Sequence, residues 1–165
     1  MNVLGCEGND EVYLINYLID KGYLIFKREE ILDRRPIHFR QPSEIAPLID
    51  LLPPETDIIF YRIGDKQTDE FNLKRFEFRK DHIQVIRVCT TPELEILVII
   101  NENLLNEYLK VKSLVMPKQF VKEKVKGFTT IKEYLKNHDL YDAIIKYKEI
   151  KKTREGEICL ADLLK

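Results

Sequence analysis

Three short, nearly uninterrupted apolar runs constrain what this chain can fold into: residues 2–6 (NVLGC), 57–63 (DIIFYRI) and 83–89 (IQVIRVC). Each is the length of a strand and lacks the apolar–polar alternation of a sheet with one wet face, so each predicts a strand buried on both sides. Helical periodicity fills much of the chain between and after them. Val12, Ile15, Leu18 and Ile19 fall on one face, with Asn9 as the expected cap, Asp10 and Glu11 in the first turn, and Gly22 as the stop. Pro42-Ser43 opens a second apolar stripe, Ile45, Leu48, Ile49 and Leu52, that Pro53-Pro54 closes.

Residues 90–111 (TTPELEILVIINENLLNEYLKV) read as one long helix, with Thr91 as its cap and Pro92 at its first position. A polar, helix-like stretch follows the second strand as far as Lys80, and Pro36 breaks the region 23–41 into short extended pieces. Strands alternating with helices imply a parallel sheet covered on both faces. The predicted class is therefore α/β, a Rossmann-like, mostly parallel central sheet over 1–112. Residues 113–165 form a Lys-rich helical extension packed on it within one domain. In that extension Thr130 and Glu133 make a capping box and Asp139 starts a helix bearing Tyr141, Ile144 and Ile145. Tyr134, Tyr141 and Tyr147 interleave with lysines there, but at helical spacing tyrosines are more often core than nucleic-acid surface.

Bulk properties narrow the function classes. Of 165 residues, 44% are hydrophobic and 33% charged, enough for a core under a heavily charged surface, and the net charge of −1 provides no global basic field. Contact with nucleic acid would need a local patch. Cys6, Cys89 and Cys159 are odd in number and far apart, which argues against a disulfide framework or zinc knuckle and for a reducing cytoplasm. His38, His82 and His138 are isolated. The greasiest stretch, LEILVII, is far short of the roughly 20 residues a membrane span needs. No Walker motif, GxGxxG or GxSxG is present, and Cys6 and Cys89 read as buried strand residues.

Carboxylates gather where such a fold does its chemistry, beyond the C-terminal ends of the strands. Glu7 follows the first run, Asp65, Asp69 and Glu70 the second, Glu93 and Glu95 the third. Two carboxylates about 4 Å apart repel by roughly 4 kcal/mol at an effective dielectric of 20, so a convergent group takes up a proton or a cation. Oxygen donors without histidine or thiolate suit magnesium or manganese. Gly8 and Gly64 leave room for a substrate backbone. Taken singly, each acid has a plainer account: an exposed turn for Glu7, a turn or cap for Asp65, the helix dipole for Glu93. Glu95 differs, because it interrupts an apolar run.

The segments VLGCEGNDEVYLINYLID and IIFYRIGDKQTDEF resemble the glutamate and aspartate motifs of the TOPRIM family, with Glu7 and Asp65 at the leading acids. TTPELEILVIINE resembles the Pro-x-x-Glu helix of its small RloB-like members and places Glu95 on their glutamate; OLD-type nucleases belong to the same family. The resemblance implies a TOPRIM fold over 1–112 and Mg2+- or Mn2+-dependent cleavage of nucleic-acid phosphodiesters, in a phage-defence setting. It implies Glu7 and Glu95 as catalytic residues and Glu7, Asp65 and Asp69 as metal ligands. Lys66, Lys74, Arg75 and Arg79 would meet substrate phosphates, and a solvated helix face explains those four equally well. A homodimer or a defence-system partner protein is the implied assembly.

One departure stands out. The family's second aspartate is Gln67 here, so a catalytically degenerate, regulatory or protein-interaction module is the alternative. If Glu7 only adds to a cluster of anions, Glu7→Gln should leave the melting temperature unchanged or raise it.

Overall fold

The computed structural model describes residues 1–65, 70–151 and 155–165. Its centre is a five-stranded sheet of β1 (Asn2–Cys6), β2 (Ile37–His38), β3 (Ile58–Gly64), β4 (Ile83–Cys89) and β5 (Glu157–Cys159). The spatial order is β2-β1-β3-β4-β5, and every pairing is parallel. β1 and β3 run in register from Asn2 opposite Ile59 to Cys6 opposite Ile63. From β1 the chain first builds outward to β2, then crosses back to place β3 on the other side of β1. The β1/β3 boundary is therefore the switch point of this doubly wound order.

The helices are α1 (Asn9–Asp20), α2 (Ala46–Ile49), α3 (Glu95–Asn101), α4 (Leu105–Val111), α5 (Pro117–Lys124), α6 (Ile131–Tyr134) and α7 (Tyr141–Ile150). Alternate strand side chains feed two cores, which is why the strand sequences are apolar at nearly every position. Leu4, Cys6, Tyr61, Ile63 and Val88 join a large core with Leu14, Ile15 and Leu18 of α1 and buried residues of α3, α5, α6 and α7. Val3, Ile58 and Phe60 join a smaller one with Leu32, Phe39, Ile49 and Phe76, capped by α2 and single 3-10 turns. Phe60 is fully buried, its ring 5.5 Å from Phe71 and 6.3 Å from Phe39.

Several expected elements take a different form. The long helix divides into α3 and α4 because Asn103 turns into the left-handed region at φ 59°, where its N–H donates to Ile100 O (3.1 Å) and that of Leu104 to Ile99 O (2.9 Å). The Thr91–Pro92 bond is cis, α3 begins only at Glu95, and Thr91 caps nothing. Instead its carbonyl accepts the Tyr147 hydroxyl and its Oγ1 contacts Lys151 Nζ and Cys89 Sγ. At α1 the N-cap is Gly8 rather than Asn9. The stripe at 42–52 becomes a 3-10 turn, Pro42–Ile45, followed by α2, and the stretch before β4 is a 3-10 segment, Lys74–His82.

The C-terminal third is more than helical. Its last residues add β5 to the outer edge of β4 and bury Leu160, Leu163 and Leu164. Thr130 Oγ1 accepts the Glu133 N–H as expected, and Tyr134 and Tyr147 are core side chains, 6% and 4% exposed. Among the described residues no helix is long and apolar enough to cross a membrane.

This arrangement makes the final turn structural. Leu163→Ala, at a 1% exposed position, should cost about 2–4 kcal/mol in urea unfolding. Ile145→Ala, on the exposed side of α7, should stay within about 0.5 kcal/mol.

Candidate functional site

At the switch point β1 runs out at Cys6, and the Glu7 N–H carries the pairing one residue further by donating to Ile63 O (3.0 Å). That tie holds Glu7 beside the end of β3. Its side chain folds across Gly64: a Cβ there would lie 2.3 Å from Oε2 and 2.5 Å from Cδ, so only glycine leaves the space. Glu7 Oε1 accepts a hydrogen bond from Arg62 Nε (2.9 Å) and forms an ion pair with Nη2 at 2.8 Å. The pair is nearly dry, with side chains 6% and 12% exposed, and the guanidinium carbon stands 5.6 Å from the centre of the Phe71 ring. On the other side His38 Nε2 donates to the Glu7 carbonyl (3.0 Å).

Glu11 reaches back from the first turn of α1 to lie over Gly8, where a Cβ would meet its Oε2 at 2.6 Å. Burial pushes its carboxyl up to about 7, with the charges of Asp65, Asp10 and Glu7 adding to the shift against a backbone hydrogen bond that lowers it. Glu7, Glu11 and Asp65 line one cleft of about 250 Å3 together with Arg40, Gln41 and Arg62. Gln41 braces the wall: its Nε2 donates to Glu70 O (3.1 Å) and its Oε1 accepts the Asn72 N–H (3.2 Å). A deep site carrying both signs of charge can bind an ionic group, orient it and exchange a proton with it.

The expected residues fall into three groups. Glu7 and Asp65 meet in this cleft. Asp69 and Lys66 lie outside the described residues, as does Gln67. Glu95 does not line the cleft; it is 5% exposed in α3, its carboxyl raised by burial, and the charges acting on it are those of Lys118, Glu93 and Asp10. The basic residues divide as well. Lys74 is exposed, and Arg75 is paired with Asp50 at 2.9 Å. Arg79 departs from the expected phosphate-facing position: its backbone leaves 3-10 geometry (φ −125°, ψ 24°) and its guanidinium carbon stands 5.2 Å from the centre of the Phe78 ring. It is 3% exposed, and Nη2 donates to Leu52 O (3.1 Å).

Two further expectations need correction. The space left by Gly8 and Gly64 is filled by the chain's own Glu11 and Glu7 carboxylates, so it is not open to a substrate backbone. Glu7 is also more than one anion among several, since it neutralises a buried arginine. Among the described residues no three His, Cys, Asp or Glu side chains come close enough together to form a metal cage. Cys6 is fully buried, and burial, with Glu11 nearby, holds its thiol well above the ordinary value, which removes it as a nucleophile.

Sequence reasoning passed over Arg62, Glu11, Arg40 and Gln41. Two of these carried a signal. Arg62 is a charge near the end of the most apolar strand run, where both faces are expected to be covered, and a buried charge requires a partner. Glu11 heads the buried stripe of Leu14, Ile15 and Leu18 at i, i+3, i+4 and i+7.

Glu7→Gln should therefore lower stability by about 2 kcal/mol, because a neutral amide replaces the carboxylate facing Arg62. For Glu11 the folded form holds its proton to higher pH than the unfolded chain. Its contribution to stability is then greatest below the usual carboxylate range and falls as pH rises toward about 7. Glu11→Gln should flatten that slope and stabilise the protein by about 1–3 kcal/mol at pH 8, read from melting curves between pH 4 and 8. No family model, curated protein or solved structure gave a match to this chain.

Proposed function

We propose that the switch-point cleft is a phosphodiester-cleaving site of the TOPRIM type, assisted by Mg2+ or Mn2+. The single observation that supports this reading is the meeting of Glu7 and Asp65, 58 positions apart in sequence, in one cleft with Glu11 and two arginines. The donor set fits a loosely held hard cation rather than a closed cage. Magnesium keeps most of its waters and takes one or two carboxylates plus substrate phosphate, and Glu11 with Asp65 would provide those carboxylates. A bound cation would offset charge developing on the phosphate oxygens.

The chain's own groups have separate tasks in this scheme. Arg62 orients the Glu7 carboxylate, which would accept a proton from an attacking water. Arg40, exposed and lining the cleft, would meet the negative charge of the backbone. Gln41 keeps the two walls at a fixed separation.

A second reading has its own support. The Glu7–Arg62 pair is a complete structural unit, and Gln67 stands where the family carries an aspartate. A TOPRIM-like module that has kept its packing and lost its chemistry would retain that pair. Metal titration separates the two. At ten times the dissociation constant, a bound cation adds about 1.4 kcal/mol, a rise of roughly 3–5 °C in Tm for a chain of this size. Asp65→Asn should remove both this rise and any Mg2+-dependent cleavage of DNA or RNA while leaving the metal-free melting curve in place. A folded protein that shows no response to millimolar Mg2+ or Mn2+ supports the inactive module.

A further inference from the structure

A second concavity shares no residue with the carboxylate cleft. It is a groove of about 320 Å3 between the segment after β4, α3, α4 and α7. Ile96 forms its floor, and Leu109, Met116 and Ile150 surround the opening at 42%, 52% and 44% exposure. Large apolar side chains held in water around one opening mark a surface that gains by being covered. Among the described residues, the charged side chains lining the groove are Lys112 and Lys151. Among the described residues neither has a carboxylate partner, and Lys151 Nζ is anchored on Thr91 Oγ1, which holds that charge in position.

We infer that this groove binds an amphipathic anion, a medium-length acyl carboxylate whose chain lies along Ile96, Leu109 and Ile150 and whose head group meets Lys112 and Lys151. Three observations select this occupant. The apolar lining has no use for a bare phosphate or sugar. The tyrosines in the wall, Tyr108 and Tyr147, are each 4% exposed and offer no open ring face for a base to stack on. Both charges are positive, which selects an anionic head over a neutral or cationic one. At about 30 Å3 for a water-sized group, the volume accommodates on the order of ten such groups, the size of an eight- to ten-carbon chain.

The test titrates the full chain with sodium decanoate, kept below its aggregation range, with decanol and decyltrimethylammonium alongside, by calorimetry. Saturable one-to-one binding of decanoate is expected, with decanol several-fold weaker and decyltrimethylammonium weaker still. Lys112→Glu, at an exposed position, should weaken decanoate about three- to fivefold, and Leu109→Asp should weaken it further, both with unchanged circular dichroism. Failure of decanoate to saturate overturns the inference. So does equal binding of the three amphiphiles, which would show a surface with no preference for charge. Undiminished affinity in both variants would place any binding elsewhere and overturn it equally.

Discussion

A guanidinium buried in a strand cannot be left without an anion, and much of the switch point follows from that requirement. Arg62 is the penultimate side chain of β3 before Gly64 and is 6% exposed. Its neutralising carboxylate comes from the end of the neighbouring strand, through a hydrogen bond and an ion pair to one oxygen of Glu7. Gly64 has no side chain because Glu7 crosses it, and Glu7 crosses it because its own N–H is bound to Ile63. Once those ends are locked, Asp65 and the first turn of α1 have to surround the same space. The acidic cleft is thus partly a by-product of pairing a charge that the strand itself brings into the interior.

That origin changes how the carboxylates are weighed. Repulsion among clustered anions is relieved at Glu7 by a cation the chain already carries, and it remains at Glu11, whose neighbours Asp65, Asp10 and Glu7 all raise its proton affinity. The two acids beside the same strand end therefore do different things. One is fixed and paired; the other is poised to exchange a proton near neutrality. A site divided this way has a stable framework and a responsive element within a few side chains of each other.

The sheet was legible in sequence wherever strands were continuous and apolar. The runs 2–6, 57–63 and 83–89 fall on β1, β3 and β4 almost residue for residue, and parallel pairing follows from the segments between them. Local pattern failed where tertiary contacts decide. The apolar stripe at 90–111 gives no hint that Asn103 would turn left-handed and split the helix. β5 has only three residues and is a strand because the edge of β4 is open to it. The convergence of Glu7 with Asp65 was accessible from strand order alone. The partner of Glu7 was not legible from the acids at the strand ends, because it is a base inside the neighbouring strand.

The placement of β5 bears on how the molecule is assembled. Cys89 and Cys159 sit side by side in the sheet although they are 70 positions apart, and all of α3–α7 lies in the connection between them. Closing so long a loop comes late and slowly, since its entropy is lost before the contacts repay it. Until that happens β4 presents a bare row of amides and carbonyls, open to pairing with a neighbouring chain. The three residues of β5 therefore do more than extend the sheet: they close a margin that would otherwise invite a neighbouring chain.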